Sequence, residues 1–99
     1  MSQFTLRNFE QRVGTTYETD LGEGTVVDLV LVSATRITSA GATPSDDGRP
    51  FSLLFRGPAE HPFGQGIRKL NHPGDQAMDV FLVPIQPDGE GPLYEAIFA

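Results

Sequence analysis

The densest hydrophobic stretch of the chain covers residues 77–98. Residues 78–83 are almost continuously apolar, which is typical of a strand buried on both faces, or of a central strand with one face partly covered. After a segment rich in proline and glycine, residues 93–98 alternate between two faces, as the side chains of a strand do. The pattern predicts a β-hairpin with Tyr94 and Phe98 directed into the core.

A short helix is predicted over residues 5–13. Thr5 is a suitable N-cap, Gly14 fits the left-handed residue that commonly ends a helix, and apolar residues recur at helical spacing (Leu6, Phe9 and Val13). Because a helix this short is marginal alone, we expect it to dock its apolar side on the sheet.

Four further strands are predicted, at residues 15–19, 25–37, 50–56 and 65–71. In the second and third strands of the chain, the side chains assigned to the core are Val27, Leu29, Leu31, Phe51, Leu53 and Phe55. Asp28 is then on the outer face, and the alternative is a bulge that redirects it. In the strand at 65–71, Ile67 is expected to face inward together with either Lys69 or Leu70.

The predicted fold is mainly β: one β-rich domain over residues 1–99, with six antiparallel strands and one short N-terminal helix. A small barrel and a two-sheet sandwich both fit, and the barrel is preferred because so short a sheet would otherwise leave two uncovered edges. The polar loop at residues 38–49 is long for a compact domain, which is typical of mobile or functional loops.

Charge and composition narrow the possible functions. The formal net charge of −6 argues against a nucleic-acid or anionic-membrane partner, because phosphate groups bind to cationic surfaces. The chain has no cysteine, which excludes disulfides and thiolate metal sites. It also shows neither a secretory leader pattern nor an apolar stretch long enough to span a bilayer, so a cytoplasmic location is expected.

No reactive constellation emerges from the sequence. His61 and His72, with Asp75, would give three ligands of a zinc site, but both histidines lie beside prolines and are better explained as surface turn residues. The acidic turns at residues 46–48 and 88–90 lack the spacing of a calcium loop. No nucleophile or phosphate-binding motif is present. We therefore expect a non-enzymatic protein with no catalytic residue, metal or cofactor.

The predicted function is protein–protein contact. The candidate contact residues are Arg56, Phe63 and Arg68, together with an exposed strand edge on which a partner strand would add. Arg56 also has a structural interpretation, a cross-strand ion pair with Asp79 or Glu95. The alternative function is binding of a small molecule or carbohydrate in a barrel mouth lined by Tyr17, Phe63 and Tyr94. Phe63 is expected to cover one end of the core.

Several segments together resemble a family of small bacterial proteins without an assigned activity, the DUF6916 type. They are residues 6–14, FSL (51–53), FRGP (55–58), QG (65–66), HP (72–73), FLVPI (81–85), PDG (87–89) and YEAIF (94–98). The resemblance implies a bacterial or phage-derived accessory or structural protein, often encoded beside proteins with phage tail-collar domains. It implies a protein partner, such as a tail-collar-domain protein, or a homo-oligomer, and it supplies no catalytic residues.

Overall fold

The computed structural model describes residues 5–22, 24–37, 50–87 and 89–98, and for residues 75 and 76 it describes the backbone. The elements are α1 (Leu6–Arg12), β1 (Thr16–Gly22), β2 (Thr25–Arg36), β3 (Phe51–Arg56), β4 (Gly66–His72), β5 (Asp75–Ile85) and β6 (Leu93–Phe98). The predicted loop at 38–49, with its acidic turn, and residue 88 of the second acidic turn lie outside the described residues. In the described part of the chain, no helix is long and apolar enough to cross a membrane.

The six strands close into a barrel in the order β1-β2-β3-β6-β5-β4, and every neighbouring pair is antiparallel. The mainly β prediction is confirmed, and the barrel is the correct alternative. Ring closure gives each described strand a neighbour on both sides, so no described strand has an edge that is exposed along its whole length. The addition of a partner strand at an exposed edge stays a prediction. The narrowest seam joins β1 to β4 and matches one residue pair, Glu18 with Asn71.

The barrel interior is formed by the inward side chains of all six strands. As predicted, the inward residues of β2 and β3 are buried (Val27, Leu29, Leu31, Phe51, Leu53 and Phe55), and Asp28 is exposed. The register of β2 against β3 shifts between Leu31 and Ser33, so that Val32 is an extra residue in β2. Because of this bulge, Ala34 is the next residue of β2 that packs against the core.

Helix α1 packs on the core through an aromatic cluster. The Thr5 side chain caps the helix by accepting a hydrogen bond from the backbone N–H of Asn8 at 3.2 Å, as predicted. Phe9 is buried, and its ring centroid lies 5.8 Å from that of Phe51 and 5.5 Å from that of Phe98. The helix therefore covers the start of β3 and the end of β6.

Two predicted core positions are wrong. The helix ends at Arg12, and Val13 has a ψ of 132°, which is outside the helical region, so its side chain leaves the apolar side of the helix and is exposed. In β4, Leu70 is fully buried and Ile67 is 72% exposed. Strand side chains alternate between faces, so the burial of Leu70 directs Ile67 outward and settles the choice between Leu70 and Lys69.

The topology places the chain connections at two ends of the barrel. The β1–β2, β3–β4 and β5–β6 connections lie at one end, and α1 and the β4–β5 turn lie at the other. In the ring of six strands, β3 and β4 are three places apart and thus on opposite sides. Residues 57–65, which join them, must therefore cross the barrel end, and we call them the crossing segment.

Replacing Thr19 with valine should stabilise the protein. Thr19 is fully buried in β1, and its Oγ1 has no hydrogen-bond partner among the described residues. An unpaired buried polar group costs about 1–3 kcal/mol, and valine has a similar shape and favours strands. We expect urea denaturation to show a gain of about 1 kcal/mol in the free energy of unfolding.

Thr16→Val, at an exposed position of the same strand, is the control for this substitution. If Thr19→Val lowers the free energy of unfolding relative to Thr16→Val, the Thr19 hydroxyl is satisfied in the folded protein.

Candidate functional site

The crossing segment begins with a glycine that lies directly against the core. The Gly57 N–H donates a hydrogen bond to the carbonyl oxygen of Pro92 at 3.0 Å, which ties the segment to the residue before β6. A Cβ at this position would lie 3.0 Å from Cε2 of Tyr94 and 3.1 Å from Cδ2 of Leu29. The position therefore requires glycine for lack of space.

Further along the crossing segment, Phe63 covers the ring of Tyr94. The two ring centroids are 4.0 Å apart with an interplanar angle of 1°, and the Phe63 N–H donates to Oη of Tyr94 at 3.0 Å. Phe63 is half-buried against the core, as predicted for a residue that covers one end. Because Tyr94 is fully buried in β6, it holds Phe63 in a fixed place.

Arg68 completes this arrangement. Its Cζ lies over the Phe63 ring, 4.9 Å from the centroid. Tyr94 covers one face of that ring, so the guanidinium lies over the other face. We call Tyr94, Phe63 and Arg68 the arginine stack. A cation–π contact of this kind contributes about 0.5–2 kcal/mol and also orients the guanidinium plane.

The Arg68 side chain combines burial with a charge that no described residue matches. It lies on the same face of β4 as the buried Leu70 and is half-buried. Its Nε is buried, and the described residues give Arg68 neither a hydrogen-bond partner for Nε nor an ion pair. Because a guanidinium stays charged in proteins and its buried donors favour partners, this side chain is suited to receive an anionic group.

Arg56 lies at the same end of the barrel, and its predicted ion-pair partners are wrong. Its Nη2 is 3.5 Å from Oε2 of Glu90, in the β5–β6 connection, instead of contacting Asp79 or Glu95. Arg56 is the last residue of β3 and lies opposite Leu93, the first residue of β6, so its side chain extends toward that connection. The Glu90 side chain is 78% exposed, and such pairs contribute about 0–1 kcal/mol.

The residues predicted to line a ligand pocket are only partly brought together. Phe63 and Tyr94 stack on each other, whereas Tyr17 contacts the rings of Phe55 and His72, with centroids 5.5 Å and 4.8 Å away. Tyr17 and Tyr94 are both buried in the barrel interior. Neither ring therefore presents a face to solvent in this structure.

A second polar cluster lies at the opposite end of the barrel, around His72. The Gly74 N–H donates to Nδ1 of His72 at 3.0 Å, so a neutral ring carries its proton on Nε2, which lies 3.1 Å from Oγ1 of Thr15. The Thr15 hydroxyl in turn donates to the carbonyl oxygen of Arg12. These bonds connect the end of α1, the start of β1 and the β4–β5 turn, which is a structural role.

The predicted metal ligands are separated in the chain by β4. His61 is an exposed residue of the crossing segment at one end of the barrel. His72 is the last residue of β4 and lies at the opposite end. No group of three histidine, aspartate or glutamate side chains suited to a metal ion is found in the described part of the chain. The Asp75 side chain lies outside that part, so the expectation that the protein holds no metal stays a prediction.

The exposed face of β4 and β5 carries an apolar pair beside a pair of opposite charges, and neither pair was predicted from the sequence. Ile67 lies directly opposite Phe81, and Lys69 directly opposite Asp79. Ile67 and Phe81 are 72% and 52% exposed. The alternation of side chains along β4 could have predicted this face, because an inward Leu70 requires both Ile67 and Lys69 to point outward.

Comparison with known proteins places the chain in a family. The model of a family described as a domain of unknown function, DUF6916, matches residues 4–98. The chain belongs to this family. The match includes the crossing segment and all six strands, and it confirms the family resemblance drawn from the strand and turn segments. No curated protein and no solved structure matches the chain.

Gly57→Ala should destabilise the protein. The added methyl group would press on Tyr94 and Leu29, and overpacking of this kind costs about 1–3 kcal/mol. We expect this loss in the free energy of unfolding measured by urea denaturation. Gly64→Ala is the matched control in the same segment, since a Cβ there meets no atom within 4 Å. Equal effects of the two substitutions would contradict the close approach of Gly57 to the core.

Proposed function

We propose that this domain acts without catalysis, by binding a protein partner at the barrel end that the crossing segment covers. The observation that carries the proposal is the half-buried side chain of Arg68, whose guanidinium lies on Phe63 and has no ion pair among the described residues. The partner is a protein that presents a carboxylate group to Arg68.

The chemistry of the arginine stack suits such a group. A guanidinium donates two parallel hydrogen bonds to a carboxylate, and its planar shape fixes the direction of approach. Stacking on Phe63 limits the rotamers of Arg68, so less side-chain entropy is lost on binding. Aromatic residues and arginine are also the residue types most enriched in the binding centres of protein interfaces.

The surroundings of the stack favour recognition of a protein surface. Arg56 lies at the same end of the barrel, and its partner Glu90 is largely exposed. An exposed ion pair is weak, so a carboxylate of the partner can replace Glu90 at little cost. Phe63 is half-buried and adds an apolar contact beside the two cations. Arg56, Phe63 and Arg68, the three contact residues predicted from the sequence, form this surface.

We infer that the setting is a phage-tail-like or related bacterial assembly, in which the domain is an accessory, assembly or structural component. The support is the family resemblance, which points to tail-collar-domain proteins as the partner class. A cytoplasmic location is part of this proposal. The acidic composition of the chain favours a protein over a nucleic acid as the partner.

Arg68→Gln should weaken partner binding by at least about tenfold, because loss of a buried charged hydrogen bond costs more than the 1.4 kcal/mol that this factor represents. The partner is first captured from the host with tagged protein and identified by mass spectrometry. The dissociation constant of the purified pair is then measured by calorimetry for the wild-type protein and the variant.

Arg7→Gln is the matched control, because it removes the same charge from an exposed position on α1, at the other end of the barrel. It should bind like the wild-type protein. If Arg68→Gln folds normally and binds the partner as tightly as Arg7→Gln does, the arginine stack is not the contact surface.

A further inference from the structure

The outer face of β4 and β5 carries two side-chain pairs of different character. Ile67 and Phe81 are direct cross-strand neighbours, and both are more than half exposed, at 72% and 52%. The next outward pair is Lys69 and Asp79, a cation opposite an anion. Val83, two residues beyond Phe81 on the same face, is half-buried.

This face is complementary to itself. Consider a twofold axis that runs parallel to the strands and lies outside the barrel, above the line midway between β4 and β5. Rotation about this axis places β4 of the second copy over β5 of the first copy, without a shift along the strand direction. Ile67 then faces Phe81 of the second copy, and Lys69 faces Asp79 of the second copy. Each contact occurs twice, and each joins two apolar groups or two opposite charges.

We infer that the outer face of β4 and β5 binds a second copy of this chain. An isologous interface requires a surface that matches itself under a twofold rotation, and the order of these two pairs meets that requirement. The charge pattern points the same way. The chain carries a net charge of −6, so copies repel each other in general, but Lys69 and Asp79 make this face locally neutral.

The geometry also sets the strength of the contact. The outer surface of a barrel is convex, so two copies touch mainly along β4 and β5. Such a contact buries less than the roughly 800 Å² per partner of stable complexes. The dimer is therefore weak and reversible, and it forms as the protein concentration rises. It is independent of the arginine stack, which lies at the end of the barrel.

The test uses two variants, each of which carries a single sign of charge at positions 69 and 79. Lys69→Glu makes both positions acidic, and Asp79→Lys makes both positions basic. In each variant alone, the twofold contact brings like charges together, and we expect dimerisation about tenfold weaker than in the wild-type protein. In an equimolar mixture, Glu and Lys face each other across the interface, so heterodimers should form at wild-type concentrations. Sedimentation equilibrium measures the association, and native mass spectrometry distinguishes heterodimers from homodimers.

The mixing experiment distinguishes contacts between copies from the pairing of Lys69 with Asp79 within one chain. Mixing restores opposite charges between two chains, but it does not restore the pair within either variant. The inference is overturned if the wild-type protein stays monomeric at all concentrations, or if the mixture associates no better than each variant alone. Thermal melts check that both variants fold. Should one of them not fold, Phe81→Gln replaces it, and dimerisation of Phe81→Gln at wild-type strength equally overturns the inference. Partner binding at the arginine stack is expected to be the same in all of these variants.

Discussion

The closure of six short strands into one ring is the constraint on which the rest of the structure depends. With the order β1-β2-β3-β6-β5-β4, β3 and β4 lie on opposite sides, and the chain must cross the barrel end between them. The crossing segment can lie close to the core because its first residue is Gly57. That close approach brings Phe63 onto Tyr94, and Arg68 at the start of β4 then meets the free face of Phe63.

Ring closure also determines which side chains remain for binding. The interior takes one face of each strand and fills it with side chains of the core, so both surfaces proposed for binding lie outside the interior, one at a barrel end and one on the outer face. At one end the arginine stack holds a charge without an ion pair among the described residues. On the outer surface, Ile67 and Phe81 form an exposed apolar pair, and the neighbouring pair consists of Lys69 and Asp79, whose opposite charges cancel. At the other end, α1 and the His72 hydrogen bonds serve the fold.

Features that depend on local pattern were predictable from the sequence. The alternation in β2 and β3 placed their inward residues correctly, and Thr5 marked the start of α1. The inward position of Ile67 was wrong because hydrophobicity alone gave no reason to prefer Leu70. The partner of Arg56 and the contact between Phe63 and Tyr94 join residues far apart in the chain, and no local pattern determines which strands become neighbours. Individual site residues were therefore predictable from the sequence, but the contacts between them depend on the order of the strands in the barrel.

The claim that the crossing segment and Arg68 form the contact surface is tested most directly by an amide NMR titration of the labelled protein with its captured partner. We expect the largest chemical-shift changes on residues 57–65, on the first residues of β4 and on the β5–β6 connection. Changes confined to α1 and the β4–β5 turn, with the amides of Phe63 and Arg68 unaffected, would contradict it.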